Sequence, residues 1–335
     1  MERGKGMKLH PIWDDYPDVK KSLIKVLTTI EDHVRIKDPT IREIIFNLIH
    51  SGGKHLRPAY VLLCARIGEK QDEERVIDVA AAIECFHMAT LVHDDVIDRA
   101  DMRRHQPTVH TRYGNKFAIY TGDYLFSLAF NLLAKHASFL SSARAKSRTS
   151  RNIGKILLGE LQQLHSAYST SVTVKDYLSR ISGKTAQLFA LSCYSGAIAS
   201  GASEKQANIA WNMGHYIGMA FQIKDDILDY KGNKGSLGKP VLSDIKNGIY
   251  TLPLILTMSA NKKELTPLLT KKDRISEQDL QMILTLIQKH GGIEKAERLM
   301  YRYTEKAIVE LNKLPDGPYK KDLMRLSQTL LERQI

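Results

Sequence analysis

Residues 91–104 read LVHDDVIDRADMRR, and residues 221–230 read FQIKDDILDY. Each stretch carries a pair of aspartates and a third one three places on: Asp94, Asp95 and Asp98, then Asp225, Asp226 and Asp229. Apolar residues frame both triplets, Leu91, Val92, Val96 and Ile97 in the first, Ile223, Ile227 and Leu228 in the second. That pattern suits helices, where positions i and i+4 share a face, so Asp94 projects with Asp98 and Asp225 with Asp229.

The surroundings are helical as well. No proline occurs from Thr108 to Lys239, and proline is the strongest helix breaker. Asp38-Pro39 reads as an N-cap followed by proline at the first helical position, and Ile41, Ile44, Ile45, Leu48 and Ile49 then form one apolar stripe ended by Gly52-Gly53. Further on, Ser276 and Asp279 predict a capping box before Leu280, Ile283, Leu284 and Ile287, with Gly291-Gly292 closing that helix. Neither a sustained period-two run nor a repeat is present. The least regular stretches are Ser138 to Arg151 and Lys231 to Lys239. A single all-α domain over 1–335 is expected, with 1–20 as a peripheral N-terminal segment.

Composition narrows the class. In 335 residues, 43% are hydrophobic and 26% charged, the balance of a globular chain with a sizeable core rather than a disordered or disulfide-stapled one. Cys64, Cys85 and Cys193 lie far apart with no C-x-x-C pair, which predicts small buried hydrophobes in a reduced compartment. The N-terminal residues are basic, but no apolar stretch comes after them. Pro11, Asp14, Asp15, Pro17 and Asp18 interrupt the segment, so no signal peptide is read there. Thr185 to Ala202 is uncharged yet sprinkled with polar side chains, so it predicts a buried core helix and not a membrane span.

There are 49 basic against 37 acidic residues, a formal charge of +12, which points to an anionic partner. Three carboxylates at the end of an apolar stripe repel one another unless a cation joins them. Magnesium suits the task, because it keeps some waters and bridges carboxylates to substrate phosphates. Phosphate donors lie near: Lys54 and Arg57 in HSGGKHLRP, the pair Arg103-Arg104, Lys184-Thr185, and Gly238-Lys239-Pro240. A ferritin-like di-iron bundle, suggested by Glu84 and His87, needs a second Glu-x-x-His copy that is missing. A nucleic-acid binder has no motif here, and acidic triplets repel a phosphate backbone.

Together these motifs resemble the all-trans prenyl diphosphate synthases. The two triplets, GGK–RP, RR–PT, G-E-x-x-Q (Gly159, Glu160, Gln163), KTA (Lys184 to Ala186) and GKP carry the likeness, from about Ser51 to Pro253 and more loosely beyond. HMATLVHDD, YTGDYL, SCYSGAIASGA and NGIYTLP look like the catalytic larger subunit of bacterial two-component hexa- and heptaprenyl diphosphate synthases. The resemblance implies an all-α bundle around a deep cavity and addition of isopentenyl diphosphate to an allylic diphosphate, with pyrophosphate released. The product would be a medium or long all-trans polyprenyl diphosphate. The alternatives are a geranylgeranyl or other shorter-chain synthase, or a weakly active, partner-dependent subunit.

Carried over position by position, Asp94, Asp95, Asp98 and Asp225 would bind three magnesium ions on the allylic diphosphate, with Asp226 and Asp229 completing the second motif. Arg103, Lys184 and Lys239 would contact that diphosphate beside Thr185 and Gln222. Lys54, Arg57, His87 and Arg104 would form the isopentenyl diphosphate pocket. Phe86, Ala89 and Thr90 would line the path of the growing chain, although Phe86 fits ordinary core packing equally well. His93 is read as core. The resemblance also implies a homodimer, or a heteromer with a small regulatory subunit, in the cytoplasm and peripheral at the membrane. Four departures stand out: His55 in place of a usual arginine, His105 and Leu242 in place of glycines, and Ile249 in place of a frequent lysine.

Overall fold

The computed structural model describes residues 9–70, 72–104, 106–136, 154–156, 158–159, 161, 166–231 and 242–331. Lys239, His105, Glu160, Gln163 and all of Ser138 to Arg151 fall outside them, as does the loop after Lys231. Among the described residues there are fourteen α-helices and one two-stranded hairpin, Met102–Arg103 against Gln106–Pro107. The all-α expectation holds.

Two compact units divide the chain. The first comprises Met1–Lys146, Ser192–Ala210 and Pro315–Asp322. It contains α1 (Pro17–His33), α2 (Pro39–His50), α3 (Leu56–Cys64), α4 (Glu73–Ile97), α5 (Val109–Tyr113) and α6 (Asn115–Ala134). The second comprises Ser147–Leu191, Trp211–Leu314 and Leu323–Ile335. It holds α7 (Val174–Ile181), α10 (Ser243–Lys246), α11 (Leu252–Leu269), α12 (Glu277–Lys289) and α13 (Gly292–Asn312). Three helices contribute to both units: α8 (Gln187–Ala199), α9 (Glu204–Lys231) and α14 (Pro318–Leu331).

In the first unit α4 packs on α6, α3 and α1. It is apolar all round, with Ile77, Val79, Ala80, Ile83, Cys85, Phe86 and Val92 all buried, which is how a central helix differs from an amphipathic surface one. Contact with α6 is close. A Cβ on Gly122 would lie 2.2 Å from His93 Nε2, so only glycine leaves room for that ring, which hydrogen-bonds the Ile119 carbonyl at 3.0 Å. In the second unit α11 packs against α13, α12 and α7 over a core that includes Ile223, Ile227, Leu254, Ile283 and Met300.

The predicted caps are present. Asp38 accepts from the Ile41 amide at 3.0 Å, and Ser276 and Asp279 cap each other's amides at 3.2 and 3.0 Å. Gly291, at φ +65°, ends α12 as expected. Thr185 to Ala202 forms the end of a π-helical turn, Ser182–Ala186, and then the largely buried α8. The N-terminal segment departs from expectation. From residue 9 on it is integral: Trp13 is completely buried, donates its indole N–H to the Lys54 carbonyl at 2.9 Å, and Tyr16 and Val19 are buried after it. Apolar side chains at that spacing pack too well to remain peripheral.

Candidate active site

In the first unit, α4 ends in the first triplet, with no basic residue in its last turn. Carboxylates there oppose the helix dipole, so folding alone gives no reason for them. Asp98 caps the helix, its amide bonding the Asp94 carbonyl at 2.8 Å. Asp94 is half-buried and Asp98 exposed, both on one face as predicted. Asp95 is different: it is buried and gripped by Arg103, whose Nε and Nη2 donate to Oδ1 at 2.9 and 2.7 Å. The hairpin after α4 makes this possible by folding Arg103 back over the helix end.

Around α3 and α4 a basic cluster forms. Arg104 adopts φ +50° and donates to the Gly52 carbonyl at 2.5 Å. A Cβ on Gly53 would fall 2.7 Å from Arg104 Nη1, which explains the second glycine of GGK. Arg57 Nη1 lies 2.9 Å from His87 Nε2. Burial, then the Arg57 charge, drive the His87 pKa well below its usual value, against the pull of Glu84. His87 is therefore neutral and accepts from Arg57, which turns a lone core histidine into a guanidinium holder. Lys54 is half-buried.

His55 does not act as a spare arginine. It is buried at φ +44°, with Nδ1 2.8 Å from Glu84 Oε1. Burial opposes ionisation of Glu84, yet the charge and hydrogen bond of His55, with His87 and Arg57 adding, hold its pKa at about 2. Glu84 is a member of the cluster that motif spacing alone does not place there; its only signal is the Glu-x-x-His pair, and its real partner is His55. The depressed carboxyl predicts a pH dependence. Its stabilisation is fully present above the ordinary 4.5 and is lost as pH falls through about 2. Urea unfolding of the wild-type chain and Glu84→Gln should give a stability gap that is wide at neutral pH and closes over that window. A gap unchanged with pH would refute it.

In the second unit, α9 carries the second triplet. Asp225 is exposed, Asp229 half-buried and Asp226 buried. Asp226 accepts from Tyr177 Oη at 2.6 Å and from Gln222 Nε2 at 2.8 Å. Burial raises its pKa to about 7 despite both hydrogen bonds, with the charges of Asp244 and Asp225 adding. Thr185 Oγ1 donates to Gln222 Oε1 at 2.6 Å, so Thr185, Gln222 and Asp226 are brought together. The π-helical turn that carries Lys184 fits closely against the residues before it: a Cβ on Gly159 would lie 2.8 Å from the Lys184 nitrogen. Gly159 of G-E-x-x-Q is therefore a close-approach glycine. Leu242 sits at φ +62°, a conformation that favours glycine and makes the leucine a strained substitute.

Of the chain-length candidates, Phe86 is buried with its ring edge-on to Phe126, centroids 4.9 Å apart. Ala89 is fully buried, and the half-buried Thr90 spends its hydroxyl on the His87 carbonyl at 2.8 Å.

Among the described residues no three His, Cys, Asp or Glu side chains converge into a metal cage. Asp95 and Asp226, both expected among the ligands, are turned toward Arg103 and toward Tyr177 with Gln222. The outward donors are carboxylate oxygens only. That donor set fits a hard dication shared with water and phosphate oxygens rather than one enclosed by protein.

An all-α chain with a carboxylate triplet on each of two helices, and with Arg103 and Lys184 in the same respective units, has the make-up of a helical enzyme that handles diphosphates. Comparison gives the family. The polyprenyl synthetase model matches residues 38–287, and the chain belongs to that family. It is 38% identical over 301 residues to heptaprenyl diphosphate synthase component 2 of Geobacillus stearothermophilus, covering 90% of this chain and 92% of that one. Among solved structures, geranylgeranyl pyrophosphate synthase from Lactobacillus brevis superposes with a TM-score of 0.90 at 36% identity, over 96% of this chain and 99% of the other. Heptaprenyl diphosphate synthase from Staphylococcus aureus gives 0.86 at 35% identity, over 94% and 98%. The chain is a prenyltransferase, a trans-polyprenyl diphosphate synthase.

Proposed function

We propose that the chain condenses isopentenyl diphosphate with an allylic diphosphate and repeats the step to a hexa- or heptaprenyl product. The observation that carries this is the set of carboxylates on the two triplets that are not buried, half-buried Asp94 and exposed Asp98 at the end of α4 and exposed Asp225 on α9, with Arg103 in the first unit and Lys184 in the second. Relatives named for heptaprenyl synthesis favour the longer product. The geranylgeranyl synthase from Lactobacillus brevis, at similar identity, keeps a shorter product as the second reading.

Magnesium, when bound, neutralises the diphosphate and draws off charge as the allylic C–O bond breaks. Asp94 and Asp98 in the first unit, and Asp225 with Asp229 in the second, would each hold such ions. Arg103 and Lys184 bind the allylic diphosphate oxygens, and Thr185 and Gln222 orient them; Lys239 belongs to the same role. Arg57, kept in place by neutral His87, binds isopentenyl diphosphate together with Lys54 and Arg104. Buried Phe86 and Ala89 keep water from the reacting carbons and offer the hydrocarbon an apolar wall.

The assembly reading is a homodimer that needs a small second subunit for full elongation. On α6, Phe117, Ile119, Tyr120 and Phe130 are exposed. Solvent-facing aromatics in such number are what subunit contacts cover, and relatives named component 2 speak for a further subunit. Buried free thiols support a cytoplasmic setting, with product handed to a membrane surface. Both α4 and α6 are long and apolar enough to cross a membrane, but α4 is mostly buried within the protein, which fits a core helix. Gel filtration should give a dimer of the purified chain, and elongation assays should give weak turnover that rises about tenfold or more when the small subunit of a two-component synthase is added. Full elongation by the chain alone would overturn the two-subunit reading.

A further inference from the structure

A buried chain of hydrogen bonds in the second unit reaches past the groups assigned to diphosphate binding. Tyr177, on α7, is completely buried and gives its phenol hydrogen to Asp226 Oδ2 at 2.6 Å. Gln222 Nε2 donates to the other carboxylate oxygen at 2.8 Å, and Gln222 Oε1 accepts from Thr185 Oγ1 at 2.6 Å. Both Asp226 oxygens therefore receive a protein donor, and both ends of the Gln222 amide are committed. Reversing that amide would set its oxygen against the Asp226 carboxylate, so Asp226 and Thr185 fix one orientation between them.

Tyr177 is itself held from behind. Arg180, one turn along the same helix and 5% exposed, stacks its guanidinium 5.5 Å from the Tyr177 ring centroid and donates to the Tyr250 carbonyl at 2.8 Å. The ring is thereby confined to the position from which its hydroxyl meets Asp226. At the other end of the chain of bonds lies the π-helical turn Ser182–Ala186, which carries Lys184 and Thr185. π-Helical turns are rare and need support from neighbours. Here the support is the Thr185–Gln222 bond and two close backbone approaches: a Cβ on Gly218 would lie 2.5 Å from Ala186 Cα, and one on Gly183 would lie 2.9 Å from the Lys155 carbonyl.

We infer that Tyr177 is a positioning residue for prenyl transfer: through Asp226 and Gln222 it fixes the π-helical turn that presents Lys184 and Thr185 to the allylic diphosphate. This rests on the reading that Lys184 and Thr185 serve that substrate. Without the phenol, Asp226 Oδ2 loses its donor beside a core that includes Ile181, Ile223 and Ile227, and the carboxylate turns away in search of another. Gln222 then loses its anchor and Thr185 its acceptor. The groups assigned to isopentenyl diphosphate, in the first unit, take no part in this chain of bonds.

Steady-state kinetics of Tyr177→Phe with both substrates test the inference. The KM for the allylic diphosphate should rise about tenfold, the equivalent of one lost hydrogen bond. The KM for isopentenyl diphosphate should stay within about twofold, a split that general loosening of the fold does not produce. In an Asp226→Ala background, adding Tyr177→Phe should change the allylic KM by less than about twofold, since the two act in series. Lys184→Ala provides the control. If it leaves the allylic KM unchanged, the reading of the site itself fails. If Lys184→Ala raises that constant while Tyr177→Phe raises neither KM, or both alike, the positioning role is overturned. Should Tyr177→Phe be recovered only unfolded, Asp226→Ala decides: it offers no partner to Tyr177 or Gln222, and it must give the same rise in the allylic constant alone.

Discussion

Asp94→Ala and Asp225→Ala are each expected to lower kcat by at least about 100- to 1,000-fold, the usual loss when one preorganised electrostatic group is removed from a transition state. Stability should not follow activity down. Asp94 is half-buried in the last turn of α4, where carboxylates oppose the helix dipole and crowd Asp95 and Asp98. Removing that charge should leave the melting temperature without metal unchanged or raised, in keeping with a helix-end charge effect of about 0.3–1 kcal/mol. Asp225 is exposed on α9, so its replacement opens no cavity. A radiolabelled isopentenyl diphosphate incorporation assay beside thermal melts checks both halves. Near-wild-type turnover in either variant would sink the assignment of the two triplets, and a collapsed melting temperature would make the carboxylates structural.

The largest effect on stability is expected at Phe86. Its side chain is 6% exposed and meets Phe126 edge-on with centroids 4.9 Å apart, an arrangement worth about 0.5–1.5 kcal/mol beyond burial. Phe86→Ala should therefore destabilise by about 3–5 kcal/mol, because α4 is held by α6, α3 and α1 and cannot collapse into the hole. Product analysis adds a second, independent outcome. If the ring also stops the growing hydrocarbon, Phe86→Ala should give longer dephosphorylated products by reverse-phase chromatography, and Ala89→Phe shorter ones. Destabilisation with unchanged product length in both variants would leave Phe86 a packing residue and retire the ruler.

Local patterns are readable wherever a single helix turn contains the whole signal. Asp38 capping the Ile41 amide, the Ser276–Asp279 box and Gly291 ending α12 depend on residues within four positions of one another, and backbone chemistry dictates them. The facing of Asp94 with Asp98 follows from the helical period alone. What the period does not contain is which neighbour a side chain meets. Asp95 and Asp98 look equivalent in DDVID, yet a hairpin eight residues on gives Arg103 to Asp95 and leaves Asp98 exposed. The N-terminal segment reads as peripheral because a lone Trp13 has no period, and its burial depends on a carbonyl 41 residues away.

An all-helical chain, two carboxylate triplets on helix faces, and the arginines and lysines that accompany them are legible in the chain alone. Those features are written in residue type and short spacing. Tertiary structure decided the partners of the buried polar groups: His55 spends itself on Glu84, neutral His87 holds Arg57, and Asp226 turns inward to Tyr177 and Gln222. The reason is desolvation. A buried polar atom must find a donor or acceptor wherever packing brings one, and Tyr177 reaches Asp226 across 49 residues of chain. Such a distance leaves no mark on helical periodicity, so the residue types expected at the site were legible and the buried hydrogen bonds around them were not.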